Sequence, residues 1–217
     1  IKSGTLIIRS HGIHPKILQR AKRKGLKIID ATCPFVRRAQ ENARTLHKEG
    51  YQVVVVGEAH HPEVQGIIGY AEDKALVINQ ENSSLNLPEN KKVGVIAQTT
   101  LNLDTFKKII GQLLGNTKEL KIFNTICNAT AKTQKATLKM AKDVDLMIVV
   151  GGRNSANTTR LAKLCKEKGK PSYHIETPQE LKRNWFKGKK SIGVTAGTST
   201  PNWIINQVIK KIRELTR

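Results

Sequence analysis

The sequence predicts an α/β fold of repeated βαβ units with parallel sheets, and three observations carry that prediction. Short apolar strands alternate with helical stretches along the whole chain. Each strand runs out into a small or polar loop before the next helix. Aromatic residues make up only 4% against 38% hydrophobic, so the core must come from Val, Ile, Leu and Ala, the usual content of buried parallel strands.

Seven strands are read in order. Thr5–Arg9 ends at Ser10-His11-Gly12, and Lys27–Asp30 at Ala31-Thr32-Cys33-Pro34. Val53–Val56 ends at Gly57 and runs on to His60-His61-Pro62-Glu63. Val93–Ile96 ends at Ala97-Gln98-Thr99-Thr100, and Leu120–Phe123 at Asn124-Thr125-Ile126-Cys127. Leu146–Val150 ends at Gly151-Gly152-Arg153-Asn154-Ser155, and Ser191–Val194 at Thr195-Ala196-Gly197-Thr198-Ser199. Helices are predicted from Pro34 to Glu49, where Pro opens the first turn and Gly50 ends it, from about Thr130 to Asp143, and from Pro201 to Thr216. In parallel sheets ligands collect at the carboxyl ends of the strands, so these loops are expected to share a cleft.

The chain has 217 residues, enough for one or two domains. An internal echo supports a repeat: Cys33 and Cys127 each stand where a strand gives way to a helix. The expected division is a remnant of a first α/β domain over 1–33, a second domain over 34–123 and a third over 124–217. The chain opens on Ile1 with no charged-then-apolar leader, and the natural start is expected upstream. No apolar run approaches the roughly 20 residues of a membrane span, which points to a soluble protein away from membranes.

Lys plus Arg number 38 against 17 Asp plus Glu, a net charge of +21 that favours anionic partners. The excess is scattered rather than blocked, so a merely solubilising surface explains it as well. Three cysteines without a C-x-x-C pair are no disulfide framework. A thiolate at a helix N-terminus is favoured by the helix dipole, and Cys33 and Cys127 suit zinc or an iron–sulfur cluster; two buried structural cysteines are the alternative. Cys165, inside a helical stretch, is expected to be packed. His11 and His61 at strand ends can bind phosphate or move protons, and Glu63 in a first helical turn can relay a proton. The other histidines are read as structural. The hydroxyl and amide loops Thr99-Thr100, Ser155-Ala156-Asn157 and Ser199-Thr200 are helix caps taken singly; gathered on one cleft they form an anion site. No dinucleotide fingerprint, P-loop or nucleophile elbow is present, so neither a nicotinamide nor ATP is expected.

The ordered set Ser10-His11-Gly12, Asp30-Ala31-Thr32-Cys33-Pro34, His61-Pro62-Glu63-Val64-Gln65-Gly66, Gln98-Thr99-Thr100-Leu101, Ile126-Cys127-Asn128-Ala129-Thr130, Asn154-Ser155-Ala156-Asn157 and Thr195-Ala196-Gly197-Thr198-Ser199-Thr200-Pro201 resembles the 4-hydroxy-3-methylbut-2-enyl diphosphate reductases, the IspH/LytB family. Each piece is weak alone; the series spans nearly the whole chain. The resemblance implies a trefoil of three α/β domains around a [4Fe-4S] cluster, each domain giving one cysteine and one iron left open to substrate. It implies Cys33 and Cys127 as cluster ligands, with the third cysteine ligand and a further pocket histidine in an upstream segment. His11 and His61 would line the diphosphate pocket, and Ser155, Asn157 and Ser199 would hydrogen-bond the diphosphate. Glu63 and Thr99 would hold the substrate hydroxyl and deliver protons, with His61 in the relay and Thr100 as a neighbour. The implied reaction is reductive dehydroxylation to isopentenyl and dimethylallyl diphosphate, the last step of the non-mevalonate pathway. Its electron donor would be an acidic ferredoxin or flavodoxin, in a bacterial cytoplasm or plastid stroma. Ala156 stands where some members carry a second Ser. Two rival readings are a cluster-free phosphometabolite-binding paralogue and a basic nucleic-acid-binding α/β protein; the few, unclustered aromatics disfavour the second.

Overall fold

The computed structural model describes residues 3–79 and 92–217; Ile1, on which the upstream start was expected, lies outside them. The chain forms two compact units, Ile1–Cys127 and Asn128–Arg217. Both are α/β, and every paired strand among the described residues is parallel. The predicted fold class is therefore the observed one.

The first unit contains a two-stranded sheet, β1 (Thr5–Ile8) beside β2 (Lys27–Asp30), connected by helix α1 (Pro15–Arg23). Its four-stranded sheet has the order β4-β3-β5-β6, from β3 (Gln52–Val56), β4 (Leu76–Ile78), β5 (Lys92–Ala97) and β6 (Glu119–Phe123). Helices α2 (Pro34–Lys48), α3 (Pro62–Tyr70) and α4 (Leu103–Leu114) alternate with these strands. Val53 to Val56 are all buried because both faces of β3 are covered, which explains a continuous apolar run where an exposed face would require alternation. Ala39, Ala43 and Leu46 of α2 and Val64 and Ile67 of α3 pack against Val53, Val55 and Ile96. Leu46 lies so close over β5 that a methyl on Gly94 would stand 2.6 Å from its Cδ1. At the end of α2, Gly50 takes φ +80°, the left-handed conformation that suits glycine in such a stop.

His14 has the structural role expected of it. Its Nδ1 caps α1 by accepting from Lys16 N at 3.2 Å, and its Nε2 meets Asp73 Oδ1 at 2.7 Å. Asp73 also pairs with Lys16, so the turn after α3 is tied to the start of α1.

The second unit is a three-stranded sheet of order β8-β7-β9, from β7 (Leu146–Val150), β8 (Ser172–Ile175) and β9 (Ile192–Ala196). Its helices are α5 (Asn128–Asp143), α6 (Ala156–Glu167) and α7 (Asn202–Thr216). Alternate residues of β7 face opposite cores. Leu146, Ile148 and Val150 meet Val208 and Ile212 of α7, while Met147 and Val149 meet Leu161 and Cys165 of α6. Cys165 is fully buried, and burial pushes its thiol up to about 11.

All seven predicted strands are present, and β4 and β8 are additional. Among the described residues no helix is long and apolar enough to cross a membrane.

Candidate active site

Within the first unit, parallel strands direct their carboxyl ends the same way in each sheet, and the candidate residues follow those ends. Cys33 follows β2 and is the N-cap of α2; its N–H donates to Ser10 O at 3.0 Å, in the loop after β1. The next residue of that loop, His11, meets His61 edge to face, with ring centroids 5.2 Å apart at 73°. His61 follows the loop after β3 and caps α3, its Nδ1 accepting from Glu63 N at 3.2 Å. With Nδ1 an acceptor, the neutral ring carries its proton on Nε2.

Glu63 lies in the first turn of α3 and is 2% exposed. Its Oε1 accepts from Thr99 N at 2.7 Å and its Oε2 from Thr99 Oγ1 at 2.9 Å. Thr99 O in turn accepts from Cys127 N at 2.9 Å. A continuous series of contacts thus runs from Cys33 through Ser10, His11, His61, Glu63 and Thr99 to Cys127. It joins both cysteines, both histidines and the acid–hydroxyl pair that the sequence singled out.

The electrostatics are those of a partly dry pocket. Burial pushes the Glu63 carboxyl above its ordinary range, against the two Thr99 hydrogen bonds that pull it down. Burial also holds His61 below the ordinary imidazole value, with His11 and Arg9 adding like charge and Glu58 opposing. His11 is lowered by burial and then by Arg9, and its Nδ1 is buried without a protein partner. Neutral imidazoles and a carboxyl that accepts protons readily are the forms in which these groups exchange protons near neutral pH.

In the second unit, Ser155 caps α6 and accepts from Thr158 N at 3.4 Å. Asn157 is 6% exposed; its Nδ2 reaches Thr198 Oγ1 at 3.5 Å and its Oδ1 is buried without a partner. Ser199 is exposed in the turn between β9 and α7. Two capping expectations change. The cap of α4 is Asn102, accepting from Asp104 N and Thr105 N, so Thr99 is released to bind Glu63. The α7 cap position is Pro201, and the Thr200 hydroxyl donates to Val150 O at 3.1 Å.

Sequence reasoning passed over Gln40, 3% exposed on α2 with its Nε2 unpaired. It packs where Gly12 and Gly66 leave room, and a methyl on Gly66 would stand 3.0 Å from that nitrogen. A signal existed: Val36, Ala39, Gln40 and Ala43 form the buried stripe of α2, and Gln40 is its one polar member.

Cys33 and Cys127 are half-buried and free, and as soft donors at opposite ends of this contact series they fit thiolate binding of an iron–sulfur cluster in kind. Among the described residues no group of three or more His, Cys, Asp or Glu is placed to hold a metal ion.

A family model described as LytB protein matches residues 1–213. The 4-hydroxy-3-methylbut-2-enyl diphosphate reductase of Geobacter metallireducens is 51% identical over 215 residues, 99% of this chain and 76% of that protein. The enzyme of the same name from Geobacter sulfurreducens is 51% identical over 214 residues, with the same coverage. A solved (E)-4-hydroxy-3-methyl-but-2-enyl diphosphate reductase superposes with a TM-score of 0.61 at 47% identity, over 97% of this chain and 76% of that one. The E-1-hydroxy-2-methyl-but-2-enyl-4-diphosphate reductase of Plasmodium falciparum superposes with a TM-score of 0.89 at 30% identity, over 100% of this chain and 68% of that one. Matched along nearly its whole length in sequence and in fold, the chain belongs to the LytB protein family.

Proposed function

We propose that this chain acts as a 4-hydroxy-3-methylbut-2-enyl diphosphate reductase, the terminal step of the non-mevalonate pathway. The observation that carries the reading is the buried Glu63–Thr99 pair, held between a histidine pair on one side and Cys127 on the other. The reaction takes two electrons and two protons. The C–O bond to the hydroxyl breaks and that oxygen leaves as water, while a C–H bond forms on the allyl carbon skeleton. The products are isopentenyl and dimethylallyl diphosphate.

Cys33 and Cys127 would hold a [4Fe-4S] cluster, which when bound supplies electrons and a Lewis-acidic iron for the hydroxyl oxygen. The chain's own residues bind and protonate. Thr99 Oγ1 holds the substrate hydroxyl beside the Glu63 carboxyl, and Glu63, kept protonated more easily by burial, hands its proton to the leaving oxygen. His61, two residues away and hydrogen-bonded to the Glu63 backbone, returns a proton to the pocket. Taken unit by unit, the residues the resemblance implies for diphosphate binding are His11 and His61 in the first and Ser155, Asn157 and Ser199 in the second. A one-electron protein carrier of ferredoxin or flavodoxin type serves as donor, and the +21 charge favours docking of such acidic proteins. A bacterial cytoplasm or plastid stroma is the compartment this reading implies.

The direct test supplies the hydroxylated diphosphate and a low-potential reductant to the protein reconstituted anaerobically together with the third cysteine ligand that the family resemblance implies. Formation of the two isomeric diphosphates is the expected result. Substrate recovered intact from a protein that has taken up iron and sulfide would overturn the reading.

The lowered histidines give a second expected outcome. His11 and His61 are neutral in the free protein at pH 7, and a bound diphosphate favours their charged forms. Binding of inorganic pyrophosphate is therefore coupled to proton uptake, and affinity rises as pH falls from 7 toward the lowered values. Calorimetry in buffers of different ionisation enthalpy should show uptake that shrinks in His11→Asn and His61→Asn. Equal uptake in all three proteins would remove these imidazoles from the pocket.

A further inference from the structure

Thr158 stands one residue beyond Asn157, at the third position of α6. It is 1% exposed, and its Oγ1 has no hydrogen-bond partner within the protein. The neighbouring hydroxyl of Thr200 is satisfied by Val150 O. Thr158 occupies the space left by two glycines. A methyl on Gly151 would stand 2.9 Å from its Oγ1 and 3.1 Å from its Cγ2, and a methyl on Gly197 would collide with the same oxygen. Gly151 ends β7 at φ +142°, open only to glycine, and Gly197 begins the turn that carries Ser199.

A buried hydroxyl without a partner costs stability, and valine has nearly the same shape without that cost. Thr158 is nonetheless the side chain on which the Gly151 and Gly197 turns close. Those turns carry Ser155 and Ser199. A buried hydroxyl with no acceptor in the chain, set beneath turns that carry the Ser155 and Ser199 hydroxyls, matches an acceptor-rich ligand such as a phosphate group.

We infer that Thr158 is a positioning residue of the diphosphate site: its hydroxyl gains a hydrogen bond when a phosphate group settles on the α6 N-terminus, and so fixes the spacing of the Gly151 and Gly197 turns. This rests on the reading above that Ser155, Asn157 and Ser199 bind the diphosphate. Thr158 acts through the turns, so its removal changes anion affinity without weakening the fold.

The test measures inorganic pyrophosphate binding by calorimetry, and thermal unfolding without ligand, on the full chain and on Thr158→Val, Thr158→Ser and Ser155→Ala. Thr158→Val is expected to bind about tenfold more weakly while unfolding at the same or a higher temperature. Thr158→Ser keeps the hydroxyl and is expected to bind within about twofold of the original. Ser155→Ala reports on the site itself and should weaken binding. If it does and Thr158→Val binds as the unaltered chain, the inference about Thr158 is overturned and the site stands. If Thr158→Val loses both affinity and thermal stability and Thr158→Ser restores neither, the residue is ordinary core and the inference fails. If Ser155→Ala changes nothing, the diphosphate is elsewhere and both readings fall.

Discussion

Replacing Glu63 with glutamine should lower turnover of the reconstituted protein by about 10²–10⁴-fold, the usual weight of a positioned general acid. Both hydrogen bonds to Thr99 can survive the change. The glutamine oxygen still accepts from Thr99 N, and its amide can donate to Thr99 Oγ1. What is lost is the transferable proton. The effect on stability has a definite sign. The folded-state pKa of Glu63 is raised by burial, so between the ordinary carboxylate range and the raised value the folded chain binds more protons than the unfolded one. Stability from this group is therefore greatest in acid and declines as pH rises through the raised value. Glutamine has no such decline, so Glu63→Gln should gain on the unaltered chain as pH rises, even while it is inactive. Denaturant unfolding at several pH values, run beside the activity assay, checks both halves. Substantial residual turnover, or a stability difference that does not move with pH, would remove Glu63 from the role of proton donor.

The second large effect is on metal content. With the third cysteine ligand that the family resemblance implies supplied, Cys33→Ser and Cys127→Ser should each strip most of the iron and acid-labile sulfide taken up anaerobically, and the visible charge-transfer absorption with it. Cys165→Ser should match the unaltered chain, because that thiol is sealed in the α6 core and held protonated to about 11. The contrast separates ligands from packed cysteines within one set of measurements. Iron retained equally by the Cys33 and Cys127 variants would place the cluster on other residues. Iron lost only with Cys165 would reverse the assignment.

The sequence made most of the fold legible because buried parallel strands are continuous apolar runs. Val53–Val56 and Leu146–Val150 declare themselves in this way, and each is an internal strand of its sheet. The two strands it did not disclose are edge strands. Leu76–Ile78 is three residues long, and Ser172–Ile175 reads Ser-Tyr-His-Ile, half-buried for most of its length. An edge strand is held by hydrogen bonds to its one neighbour and needs no apolar signature of its own. Capping was misread for a related reason. Thr99 looked like the start of the next helix, but Asn102 serves there, and the free hydroxyl is committed to a carboxylate 36 positions away.

By itself the sequence determined which residues stand at strand ends: His11, Cys33, His61 with Glu63, Thr99, Cys127, Ser155, Asn157 and Ser199. Their types and order, set by local apolar runs and the polar loops between them, were enough to name the family. Only the tertiary structure decided which of them touch. Parallel register sets Val56 opposite Ala97, and so delivers the loops after β3 and β5 to one edge, where Glu63 meets Thr99. It also left Gln40 and Thr158 with buried, unpaired polar atoms. Burial and hydrogen-bond satisfaction are sums over neighbours distant in sequence, and no local pattern contains them.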